Sequence, residues 1–84
     1  MDREAALARI VAVLKPYLGA TMAEAATRTH CEKLGLAGNL VSAEQLEALL
    51  GRLASGLAVF VGREKTAQVV EEIRQSLASA PSPP

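Results

Sequence analysis

The chain of 84 residues predicts an all-α fold: a compact bundle of about four short helices followed by a disordered Pro/Ser C-terminal tail. Three observations predict it. Apolar residues recur at spacings of three and four along most of the chain. Two segments open with helix-capping signatures. No two segments could pair as strands and satisfy each other's backbone groups. A chain this short supports one domain and buries only about 60% of its unfolded surface, so residues 1–79 are assigned to a single helical domain and 80–84 to the tail.

The first helix is expected from Arg3 to Lys15, where Leu7, Ile10, Leu14 and Leu18 mark the helical period, Val11 lies beside them, and Val13 and Tyr17 widen the arc. Pro16 has no N–H and disfavours a helical Lys15, which predicts a kink or restart there, and Gly19 offers a second bend. The second helix is expected to open at "TMAE", with Thr21 and Glu24 forming a capping box, and to run to about Leu34. Its alanines bury little area but allow close backbone approach, so Met22 and Leu34 supply the larger contacts. Gly35 suits the position just past the helix, where positive φ is common.

Residues 35–41 read as a loop tucked against the core. "SAEQ" at 42–45 is a second capping box and starts the third helix. Leu46, Leu49, Leu50, Leu53, Leu57, Phe60 and Val61 carry its stripe through "LASGLAVFVG", the most apolar ten residues of the chain. Gly51 and Gly56 cost about 1 kcal/mol each relative to Ala in a helix interior. Their place near the flanks of the stripe suits either close helix approach or simple tolerance. Gly62 ends this helix or bends the chain. The fourth helix follows over "REKTAQVVEEIRQSL", with Thr66, Val69, Val70, Ile73 and Leu77 on one face and charges and amides on the other. No internal repeat is evident, and the tail "PSPP" has nothing with which to build a core.

Composition and motifs narrow the function. Nine Lys and Arg balance nine Asp and Glu and are interleaved with them, so no field is concentrated for nucleic acid or anionic lipid. No apolar run reaches the roughly 18–20 residues needed to cross a bilayer, the first residues lack a signal-peptide pattern, and a lone cysteine suits a reducing compartment; the expected location is cytoplasmic. "GREKT" does not fit a phosphate loop, because the Gly-to-Gly and Gly-to-Lys spacings are wrong and a helix precedes it. His30 and Cys31 are helical neighbours pointing about 100° apart, which makes no nucleophile–base pair. One His and one Cys supply too few ligands for a structural zinc site. Glu44, Glu47, Glu71 and Glu72 read as solvated surface. Neither catalytic residues nor metal ligands nor a cofactor are therefore expected, and the chain is not expected to be an enzyme.

Apolar surface remains beyond what four stripes need. Val59 falls opposite the stripe of the third helix, and Val13 and Tyr17 extend the arc of the first. These residues can cover a small core from further directions or form a patch that another chain buries. Val13, Tyr17 and Val59 are accordingly assigned as candidate interface residues.

The stretches "LKPYLGATMAEAATRTHCEKLG" and "SAEQLEALLGRLASGLAVFVGREKTAQVVEEI" resemble small helical modules at the ends of bacterial regulatory and kinase proteins. The resemblance rests on Leu14, Leu18, Gly19, Ala23, Leu46, Leu50 and Leu53, with Ala20 standing where those modules carry a proline. It implies a signalling-associated docking or oligomerisation role and brings no catalytic residue with it. The reading reached is a noncatalytic protein–protein interaction or homo-oligomerisation module. The alternative is a small DNA-associated regulatory domain, for which scattered arginines such as Arg3, Arg9 and Arg28 are the motive.

Overall fold

Four helices account for almost all of the computed structural model, which describes residues 2–36 and 38–78: α1 (Arg3–Leu18), α2 (Ala20–Lys33), α3 (Ala43–Val61) and α4 (Arg63–Ala78). The expectation for the tail falls outside the described residues. Each helix packs on two others, in the ring α1–α2–α3–α4–α1, so that α1 and α3 are diagonal. The core between them holds Ile10, Leu14, Leu49, Val69 and Ile73, all fully buried, together with Leu50, Leu53 and Leu57. Each such aliphatic side chain contributes about 1.5–3 kcal/mol by leaving water.

Several boundaries follow the local chemistry. The Asp2 carboxylate accepts from the Ala5 N–H at 2.8 Å and caps α1. Ser42 and Gln45 form the expected capping box on α3, and each side chain bonds the other's backbone N–H. Gly35 adopts φ 70°, as expected just past α2. Leu36 and Val41 are buried beneath the α2–α3 loop, whereas Leu40 is 71% exposed and only bridges Asp2 through the backbone. Arg3 holds the same loop, its Nε donating to the Leu36 carbonyl at 2.8 Å and its backbone N–H to that of Asn39 at 2.8 Å.

Three expectations require correction. Pro16 does not end α1, which continues to Leu18, and the Gly19 N–H still donates to the Lys15 carbonyl at 2.8 Å. The proline ring is on the exposed face, and burial of Leu14 and partial burial of Leu18 hold the turn around it. The Thr21–Glu24 capping box does not form. The chain re-enters a helix directly at Ala20, so Gly19 is the N-cap, no side chain caps α2, and Thr21 lies inside the first turn.

The third correction concerns repetition. Gly19 has φ 83° and ψ 159°, and Gly62 has φ 84° and ψ 167°; each alone joins two helices, in a backbone region essentially restricted to glycine. Aligned on these glycines, Glu4, Ala5, Leu7, Arg9 and Leu14 fall on Glu47, Ala48, Leu50, Arg52 and Leu57, with Ile10 on Leu53 and Tyr17 on Phe60. Burial follows the same register: Ala6, Leu7, Ile10 and Leu14 in α1 match Leu49, Leu50, Leu53 and Leu57 in α3. The domain is two helix–glycine–helix units packed together. The correspondence is strongest between α1 and α3; α2 and α4 match in burial at Ala23 and Thr66, whereas Thr27 and Cys31 are buried one position out of register with Val69 and Ile73.

Candidate docking surface

Through the match of α1 to α3 the repeat sets the α1–α4 seam beside the α2–α3 seam for comparison, and they differ in how they are filled. Along α1–α4, Val13 and Tyr17 are half-buried against the core. The Tyr17 hydroxyl donates to Glu72 at 3.2 Å, and the Lys65 ammonium sits 5.4 Å from the centre of the tyrosine ring. Desolvation, and then the hydrogen bond and charge of Glu72, push the Tyr17 hydroxyl above its ordinary pKa. Aliphatic volume and a polar clasp thus close this seam.

At the matching positions of α2–α3, Gly56 replaces Val13, Phe60 replaces Tyr17, Met22 replaces Lys65 and Thr29 replaces Glu72. Both the filler and the clasp are gone. A cleft of about 110 Å³ remains, with Leu14, Leu53 and Leu57 among its lining and Met22, His30 and Phe60 at its edges. Phe60 is 66% exposed and Met22 47%, and Val59 beside them is 84% exposed. The expectation that Phe60 continues the buried stripe is thereby corrected: α2 lines the cleft with Met22, Ala26 and His30, and they leave the ring uncovered. By its cost in propensity Gly56 is an ordinary helical glycine, but its missing side chain keeps the cleft open. A Cβ there would meet only His30 Nε2, at 3.9 Å.

His30 stands where Ile73 stands in the second unit. Its Nδ1 is buried with no hydrogen-bond partner among the described residues. Desolvation first, then the charges of Lys33 and Arg52, hold its pKa below the ordinary value. The neutral imidazole is therefore favoured at the cleft. Both charges bearing on it are cationic.

Of the residues assigned from sequence, Val13 and Tyr17 come together on the α1–α4 seam, while Val59 is exposed on the diagonal helix α3. His30, Cys31 and Glu24 occupy three different surroundings on α2. His30 edges the cleft, Cys31 is buried with its thiol 3.5 Å from the Leu36 carbonyl, and Glu24 lines a separate hollow between α1 and α2. Glu44, Glu47, Glu71 and Glu72 are exposed, Glu47 pairing with Arg74 at 3.0 Å. Among the described residues no His/Cys/Asp/Glu group could hold a metal ion, and no helix is long and apolar enough to cross a membrane. Met22, Gly56, Phe60 and Arg52 escape sequence reasoning as a group; alignment on Gly19 and Gly62 is the signal that could assemble them. No family model, curated protein or solved structure matches the chain.

Proposed function

We propose that the protein is a noncatalytic interaction module whose docking surface is the open α2–α3 seam, acting in a cytoplasmic, signalling-associated setting of the kind the sequence resemblance implies. One observation carries this reading: Met22 and Phe60, both well exposed, line an unfilled apolar cleft, and Val59 next to Phe60 in the chain is exposed as well, the kind of uncovered apolar surface that marks interaction sites. The α1–α4 seam supports the same reading, because it supplies within the chain the filler that the α2–α3 seam lacks. The DNA reading has less behind it. Arg3 and Arg9 donate to backbone carbonyls, and Arg28 and Arg74 lie beside Glu4 and Glu47. Each of these four arginines already has a partner within the chain.

The test compares wild type with the doubly substituted Val59→Glu, Phe60→Ser protein in sedimentation velocity and in capture from source cells. Both side chains are mostly exposed, so the variant should keep its helicity and melting temperature within a few degrees. It should lose self-association or the recovered partner. Unchanged mass and unchanged recovered proteins would sink the proposal.

A further inference from the structure

We infer that the α2–α3 groove seats an acidic amphipathic helix of a partner protein, one apolar side chain entering the cleft beside Gly56 and carboxylates meeting Arg52 and Lys33. This deepens the interaction reading above and rests on it. The repeat indicates what is missing. Val13 fills the equivalent point of the closed seam, so the open one lacks a single aliphatic side chain. At about 110 Å³ the cleft is smaller than the ~150 Å³ cavity that holds a benzene ring. From Met22 to His30 the groove follows about 12 Å of helix at ~1.5 Å per residue, two turns, which suits anchors at i, i+3 or i+4, and i+7 of a docking helix.

Charge selects the kind of helix. Arg9, the counterpart of Arg52, donates to the Ser76 carbonyl at 3.2 Å and completes the C-terminal end of α4. The Arg52 side chain makes no hydrogen bond or ion pair among the described residues, nor does that of Lys33, which stands where Ser76 stands in the repeat. Both cations act on His30 at the groove edge, and no carboxylate lines the cleft. A second copy of the chain would bring the same cations and no carboxylate from this cleft. A partner with Asp or Glu next to its apolar anchor satisfies both features and is steered in by the field.

Selection from a phage-displayed library of single-helix peptides on the intact protein tests the inference, with Gly56→Val as the counter-target. Gly56→Val rebuilds the filler of the closed seam and blocks the cleft; its melting temperature verifies that it folds. Enriched peptides should carry Val, Leu or Ile anchors flanked by Asp or Glu. Arg52→Gln should weaken them roughly three- to tenfold, with a smaller dependence on salt than wild type. Peptides that discriminate wild type from Gly56→Val but carry neutral or basic flanks would overturn the acidic partner and leave the docking surface standing. A lack of any such discrimination would overturn both. A stable dimer that buries Phe60 and excludes the peptides would overturn the partner helix.

Discussion

Substituting the four structurally informative glycines with alanine should shift stability in opposite directions. Gly51 and Gly56 lie inside α3, and an added methyl meets nothing within 4 Å at Gly51 and only His30 Nε2 at 3.9 Å at Gly56. Alanine there should stabilise by about 0.5–1 kcal/mol, because it restricts the unfolded chain and favours the helix. At Gly19 and Gly62 an added methyl also enters open space, with nothing within 4 Å. The cost there is purely conformational: φ 83° and 84° with extended ψ is a region where a non-glycine L-residue loses about 1–3 kcal/mol. For a domain of this size each kcal/mol moves the melting temperature by about 4–8 °C. Urea titration and thermal melts of the single variants measure both signs. D-alanine, introduced by chemical synthesis, sharpens the test, since it accepts positive φ and should retain wild-type stability at Gly19 or Gly62. If Gly62→Ala proved neutral, or if D-alanine cost as much as L-alanine, the single-residue helix junction would be refuted.

Other perturbations should give equally direct readings. Ser42→Ala removes one half of the α3 capping box and should cost about 1 kcal/mol, seen as a lower urea midpoint with unchanged slope. His30 carries a pKa held below its ordinary 6.5, so the unfolded chain takes up this proton first as pH falls. The stability present above pH 6.5 should therefore decline as pH drops through that value toward the folded pKa. His30→Leu should abolish this component below about pH 6.5 and, by removing the unpartnered buried Nδ1, should stabilise by about 1 kcal/mol at neutral pH; an unaltered pH slope would refute the assignment. Cys31, 1% exposed, should react with a thiol reagent at least about 100-fold more slowly in the native protein than in urea, since attack awaits opening of the bundle. Comparable rates would place the thiol at the surface.

The helices are legible in the sequence because their signals are local. Leu46 to Val61 keeps one period through two glycines, and Ser42 with Gln45 marks a boundary by side-chain chemistry alone. The continuation of α1 through Pro16 is illegible for the converse reason: packing of Leu14 and Leu18 on neighbouring helices outweighs the local penalty, and that packing has no signature near the proline. Val59 can be read as exposed from its phase on α3, whereas Phe60 cannot, because its phase points inward and the residues of α2 across the cleft leave it uncovered.

The groove is illegible for a deeper reason: it is made by the absence of side chains. A glycine in a helix, an alanine opposite and a phenylalanine at the expected phase do not mark a groove in sequence, and they acquire that meaning only beside Val13, Val69 and Tyr17 at the matching positions of the other unit. An open seam also requires that the rest of the molecule hold α2 and α3 in place. Leu36 and Val41 beneath the connecting loop, with Arg3 bonded to the Leu36 and Asn39 carbonyls, fix the helices from outside the seam. Gly19 and Gly62 tie each of them to its own helix partner. With those restraints in place the cleft beside Gly56 can stay unfilled without collapse. Closing it with Gly56→Val should then raise stability and remove binding together, so the same substitution measures what the open seam costs the fold and what it provides to a partner.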